Sequence, residues 1–219
     1  LKFNKGYHRE YGNREFMSWD NFYVWNSHQA QYVRGYFPNS KIKIVGPIWF
    51  ESSYSDLEKI NKSKKIISIF DIQPFTEQRY RILGIPDRFI TTKIVKQFQK
   101  DIHRVFSEKD VKVVMKRKRK EMKGIHDHAY LSYINSLYNN EKFIQIPPET
   151  DAFSLIEQSY LTISFPPTST ANISRYFNIH SIYYDPTSTI DPKDEALFGI
   201  RLIRGFEELK DYATNELLI

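Results

Sequence analysis

The sequence predicts an α/β fold: a Rossmann-like, doubly wound parallel sheet preceded by the end of a second α/β domain. Three observations carry this expectation. From residue 65 onward, short apolar runs alternate with amphipathic stretches at the spacing of strand–helix–strand units. Runs such as "IISIF" and "LTISF" are apolar without alternation, as strands covered on both faces are. The polar stretch 51–64, "ESSYSDLEKINKSK", has neither rhythm and separates two parts. The expected domains are 1–50, the end of an N-terminal α/β unit; 51–64, a linker or short surface helix; and 65–219, the doubly wound domain.

Each element follows in order. "NFYVWN" (21–26) is a short apolar strand, and "SHQAQYVRGYF" (27–37) has helical spacing up to Gly35 and Pro38. "KIKIVGPIWF" (41–50) is a second strand, stopped at Gly46-Pro47. "KIISIFDI" (65–72) opens the second part. "TTKIVKQFQKDIHRVF" (91–106) places Ile94, Val95, Phe98, Ile102, Val105 and Phe106 on one helical face. "VKVVMK" (111–116) is a strand, 125–140 a helix with an aromatic stripe, and "KFIQI" (142–146) a strand closed by Pro147-Pro148. A short helix at 151–159 has Asp151 as its N-cap. Strand 161–165, helix 169–177, strand 181–185, strand 200–205 and helix 206–213 complete the chain.

Composition narrows the function. Of 219 residues, 41% are hydrophobic, enough for a substantial core. Cysteine is absent, which excludes disulfides and thiolate metal sites and fits a reducing compartment. The net charge of +6 favours anionic partners. No apolar run has the length of a membrane span, and no signal peptide is recognisable. The chain begins with Leu rather than Met, which leaves open that it is a piece of something longer. There is no HExxH, and His126 and His128 diverge on a helix, so no metal site is expected. GxSxG, Walker A and GxGxxG motifs are absent, which argues against an α/β-hydrolase, a P-loop enzyme and a typical dinucleotide-binding enzyme. With only 8 Gly, phosphates would need hydroxyl and cationic donors instead of a glycine cradle.

In an open α/β sheet, ligands bind outside the carboxyl ends of the strands. Thr168, Ser169 and Thr170 follow strand 161–165 at the mouth of a helix, where free N–H groups and the helix dipole attract phosphate. An ordinary N-cap explains one hydroxyl, and three are present. Lys116, Arg117, Lys118 and Arg119 follow strand 111–116. Lys116 and Lys118 share one face if the alternation continues, suited to a diphosphate or a sugar carboxylate; a solvated basic turn is the plainer alternative. Asp71 ends the first strand of the large domain, either to accept from a sugar hydroxyl or to begin a turn before Pro74. Glu149 and Asp151 stand at another strand end, where a carboxylate suits nucleoside hydroxyls and a helix cap suits Asp151 equally.

Taken together, these segments resemble a known group. "FYVWN…KIKIVGPI" is similar to the close of the first domain of a GT-B glycosyltransferase. "ISIFDIQP", "VVMKRKR", "ETDAFSLIEQSYLTISFPPTSTANISRYFNIHSIYYDP" and "GIRLIRGFEEL" resemble the donor-binding domain of bacterial surface-polysaccharide biosynthesis proteins. The resemblance implies transfer of a sugar from a nucleotide-sugar donor to a surface polysaccharide or lipid-linked glycan. It implies donor phosphate or sugar binding by Thr168, Ser169, Thr170, Lys116 and Lys118, with Glu149 and Tyr184 near the nucleoside. The Ser/Thr turn is similar to that of bacterial sialyltransferases, which favours a CMP-linked acidic sugar over a UDP-sugar. Those enzymes carry a "KgHP"-like segment where this chain reads Lys116-Arg117-Lys118, a departure that better suits a sibling for another acidic sugar such as 3-deoxy-octulosonate. Related epimerases place Gly-Gly and a Glu in the following helix, where Asn172 and Ser174 stand here. No cofactor or metal is expected, because the nucleotide-sugar is a substrate. The expected location is the cytoplasm, with peripheral contact at the inner membrane face, and no nucleic-acid partner. A nucleotide-sugar epimerase or hydrolase, or a basic nucleic-acid- or lipid-binding module, are the alternatives. A catalytic base is not identifiable.

Overall fold

The computed structural model describes residues 2–3, 7–8, 19–46, 65–82, 90–122 and 124–217. The expected linker at 51–64 lies outside them. Near the start, β1 (Lys2–Phe3) pairs antiparallel with β2 (Tyr7–His8). A βαβ unit follows: β3 (Asn21–Val24), α1 (Ser27–Tyr36) and β4 (Lys41–Ile44), with the two strands parallel. The Asn26 side chain accepts from Gln29 N–H and starts the helix.

The larger part alternates strand and helix, as the sequence rhythm predicts. In order come β5 (Lys65–Phe70), α2 (Glu77–Ile82), α3 (Thr92–Phe106), β6 (Val111–Lys116), α4 (His128–Leu137) and β7 (Phe143–Ile146). Then follow α5 (Ala152–Glu157), β8 (Leu161–Ser164), α6 (Ser169–Tyr176), β9 (His180–Asp185), β10 (Arg201–Arg204) and α7 (Gly205–Asp211). Six strands form one all-parallel sheet in the order β10-β9-β8-β5-β6-β7. The chain works outward from β5 to β7, crosses back, and works outward again from β8 to β10. Strand order therefore reverses between β5 and β8, and the crevice at their carboxyl ends is the expected ligand position.

Both sheet faces are covered. On one, Ile67, Ile69, Val113, Met115 and Ile163 pack with Phe98 and Ile102 of α3 and Tyr130 and Ile134 of α4. On the other, Ile66, Phe70 and Val114 meet Leu155 and Ile156 of α5 and Ile173 of α6. Continuous apolar strands are the consequence of burial on both sides. At the centre, Ser68 and Thr162 interrupt the apolar run and satisfy one another at 2.9 Å. The βαβ unit at 21–44 leans on this body through α1. Ala30 is buried, the Tyr32 ring meets the Phe198 ring edge-on, and Gln31 donates to Glu195.

Boundaries differ from the sequence expectation where caps decide them. The 125–140 helix is confined to 128–137, because Asp127 accepts from Tyr130 N–H and fixes the first turn. Helix α2 carries no expectation: six residues are too few for a periodic signal, although Thr76 accepting from Arg79 N–H is a recognisable start.

Candidate functional site at the reversal of strand order

The Ser/Thr turn lies at the crevice. Beyond β8, the Pro166-Pro167 peptide is cis and leads into Thr168, the N-cap of α6. Thr168 does not cap: its side chain accepts no helix N–H. Its hydroxyl instead meets Thr170 Oγ1 at 3.1 Å, which meets Ser164 Oγ at 2.8 Å. The Thr168 carbonyl accepts from the Tyr183 hydroxyl, which anchors the turn from β9. The hydroxyls are thus chained to each other while the first-turn N–H groups keep no side-chain acceptor. Ser169 is exposed at that opening. By contrast α1, α3, α4 and α5 each carry a side-chain cap, from Asn26, Thr91, Asp127 and Asp151.

The basic turn is divided by the pleat of β6. Lys116 faces α5, where its ammonium donates to the carbonyls of Pro148 (2.9 Å) and Arg117 (3.2 Å). Burial pulls its pKa below the ordinary lysine range, against the pull of Asp151 and Glu149. Its charge ties the ends of β6 and β7 together. Lys118 projects from the exposed turn. Its pKa is lowered first by desolvation and then by Arg119, against the attraction of Asp71. Glu149 is exposed and forms an ion pair with Lys120 at 2.9 Å. Asp151 accepts from Ser154 N and Oγ, so it has the capping role that its position allowed.

Tyr184 stands elsewhere. It is fully buried beneath α3, with its hydroxyl on Asp101 Oδ2 at 2.7 Å and its ring 5.6 Å from that of Phe98. The alternation of β9 turns it into the core, so a ligand at the strand ends cannot touch it without displacing α3.

At the end of β5 is a polar cluster that the sequence reading largely missed. Asp71 is buried, with Oδ1 accepting from the Tyr130 hydroxyl at 2.5 Å and from Gln73 N–H at 3.0 Å. Arg117 Nε lies 3.3 Å from Asp71 Oδ2 without the alignment of a hydrogen bond. Burial raises the Asp71 pKa, partly offset by Tyr130, Gln73 N–H and Arg117. Gln73 has φ 50 and donates its amide to the Arg119 carbonyl. His126 stacks on Phe75, and its Nδ1 accepts from Met122 N–H. The neutral ring therefore carries its proton on Nε2. Desolvation, Arg119 and Arg117 hold its pKa below the ordinary histidine value. Parity places Asp71 and Arg117 on one sheet face, a signal available in sequence. Nothing in sequence marks Gln73 as left-handed or selects Tyr130 from its aromatic stripe.

Asp185 is also fully buried at the end of β9. It accepts from Thr187 N–H and Oγ1, Thr189 N–H and Ile190 N–H. Its carboxylate is saturated by its own loop. The run Asp185-Pro186-Thr187-Ser188-Thr189 carried that signal, since Asp commonly binds backbone N–H groups just beyond itself. Among the described residues, no three His, Asp or Glu side chains are grouped to hold a metal ion. No helix among them is long and apolar enough to cross a membrane.

Comparison with known proteins adds a family. The model of the family described as polysaccharide biosynthesis PFTS motif protein matches residues 5–213. No curated protein matches the chain. A solved chain described as a candidate UDP-N-acetylglucosamine 2-epimerase from Listeria monocytogenes aligns at 15% identity with a TM-score of 0.46. The alignment covers 77% of this chain and 40% of that one, so this chain spans well under half its length.

Proposed function

This chain belongs to the polysaccharide biosynthesis PFTS motif family, and from that premise we propose that it transfers a sugar from a nucleotide-sugar to a surface polysaccharide or lipid-linked glycan. The observation that carries the reading is the N-terminus of α6. It opens at the reversal of strand order, its first turn has no side-chain cap, and its hydroxyls are linked to each other. A donor phosphate there would accept from uncapped N–H groups and from the exposed Ser169 hydroxyl.

In the transfer, an acceptor hydroxyl oxygen bonds to the anomeric carbon as the bond from that carbon to the phosphate oxygen breaks. The electron pair leaves with the phosphate, where the helix dipole and N–H groups stabilise it. The acceptor proton passes to a base. His126 is a poor choice, because its neutral tautomer offers a proton on Nε2. A CMP-linked acidic sugar is the favoured donor, supported by the resemblance and by the cationic turn around Lys118. The net charge of +6 supports peripheral contact with an anionic membrane carrying the acceptor.

The test is a thermal-shift and calorimetric screen of CMP, UDP, GDP and ADP on wild type and on Ser169→Ala/Thr170→Ala. One nucleotide should stabilise wild type, by about 2.7 kcal/mol at a hundredfold excess over its Kd. The double variant should lose that response. Stabilisation by no nucleotide sinks the proposal. Consumption of nucleotide-sugar at the same rate with and without glycan acceptor would point to an epimerase or hydrolase instead.

A further inference from the structure

The polar cluster at the end of β5 contains three buried atoms without a hydrogen-bond partner. They are Asp71 Oδ2, Gln73 Oε1 and Arg117 Nε, the first and last of which face each other as an ion pair without hydrogen-bond alignment. Their residues are 5%, 4% and 8% exposed. Buried polar atoms are nearly always hydrogen-bonded, so three without a hydrogen bond in one place call for an explanation. The cluster is also held rigidly. Tyr130 and the Gln73 N–H fix Asp71, the Arg119 carbonyl fixes the Gln73 amide, and Gln73 keeps a backbone conformation that side chains other than glycine rarely adopt. Its position is one strand from α6's parent strand, since β5 pairs directly with β8.

The unpaired atoms specify a chemistry. Two are acceptors that need an O–H or N–H, and one is a donor that needs a lone pair. A phosphate or carboxylate fits badly, because it brings only acceptors to a site whose vacant positions are mostly acceptors. A pair of adjacent hydroxyls fits: each donates one proton, to Asp71 Oδ2 and to Gln73 Oε1, and either oxygen accepts from Arg117. Asp71 Oδ2 and Arg117 Nε are close enough, at 3.3 Å, to share one hydroxyl.

We propose that Asp71, Gln73 and Arg117 form a binding subsite for a vicinal diol of the sugar donor. The inference rests on the nucleotide-sugar reading above and adds the second anchor: phosphate at α6, hydroxyls at the end of β5. The diol belongs either to the sugar ring or to the ribose, and the experiment separates the two.

Binding of nucleotides, of the corresponding 2′-deoxynucleotides and of nucleotide-sugars (CMP, UDP and GDP series) is measured by calorimetry on the full chain. Wild type, Asp71→Asn and Gln73→Asn are compared. Asn keeps an amide and tolerates the left-handed backbone at position 73, but its carbonyl is withdrawn by one methylene. Asp71→Asn replaces one carboxylate oxygen with a donor, and the Gln73 variant remains informative if Asp71→Asn fails to fold. If the diol is on the sugar, nucleotide-sugar binds wild type about tenfold tighter than nucleotide alone, and both folded variants abolish that increment. If it is on the ribose, the 2′-deoxynucleotide binds wild type about tenfold more weakly, and the variants erase that discrimination. Nucleotide binding with both increments unchanged in the variants overturns this subsite while leaving the phosphate site standing. Absence of any nucleotide binding overturns both.

Discussion

Asp71 shows how one side chain links stability to function. Burial raises its pKa above the ordinary 3.8, so the folded chain retains a proton that the unfolded chain has released. Stability from this group is therefore fullest at low pH and declines as pH rises through the interval above 3.8. The stability difference between wild type and Asp71→Asn should move against wild type from mildly acidic to neutral pH. A pH-independent difference in paired melting curves would contradict the raised pKa. His126 has the opposite sign: its pKa is lowered, so its contribution is present above 6.5 and is lost as pH falls below that value. Nitrogen chemical shifts should show a neutral Nε2–H tautomer at neutral pH. Tyr184 separates packing from binding at the same scale. Tyr184→Phe leaves Asp101 Oδ2 without its donor and should cost about 1–3 kcal/mol. Nucleotide affinity should not change, and a selective loss of affinity in a variant of normal stability would return Tyr184 to the binding site.

At the scale of elements, the ends of strands and the starts of helices decide what the molecule can bind. Helices α1, α3, α4 and α5 close their own first turns with side chains; α6 and α7 have no such cap, and of these two α6 follows β8 at the crevice. The loop after β9 is closed internally by Asp185 and packs against the start of α7. There Gly205 has φ 76, and a Cβ would lie 2.7 Å from Ser188 Oγ. Gly205→Ala should therefore destabilise by about 1–2 kcal/mol from the backbone conformation alone. Chemical denaturation measures this directly, and an unchanged midpoint would show that the loop relaxes freely. Lys116 belongs to the same scale: its ammonium bonds the ends of β6 and β7 through two carbonyls, a different task from meeting a ligand.

For the whole molecule, the six-stranded sheet buried on both faces is the stable body. Phe98 is central to it, fully buried and edge-on to Phe165 at 5.4 Å. Phe98→Ala should cost about 3–5 kcal/mol in an unfolding experiment. The unit at 21–44 has one short two-stranded ladder and meets the body through α1. Hydrogen exchange should accordingly protect β5, β6 and β8 far more than β3 and β4. Equal protection in both parts would mean that they unfold as one.

Much of the architecture is written in local pattern. "IISIF" and "LTISF" are apolar without alternation because both faces of their sheet are covered, and 91–106 shows its buried stripe directly. These features predict parallel strands and their helices without knowledge of any contact. Boundaries were less legible, because a single cap such as Asp127 overrides a longer apolar stripe. The Ser/Thr turn was recognisable by composition and by its place after a strand. That its hydroxyls bond each other and leave α6 open depends on Ser164 and Tyr183 meeting it from other elements. Asp71 was visible as a strand end, but its partners lie 46 and 59 residues away in sequence, at Arg117 and Tyr130. Periodicity is a property of neighbouring residues and survives in the sequence alone. The pairing of buried polar groups depends on which strands lie side by side, and only the tertiary structure decides that.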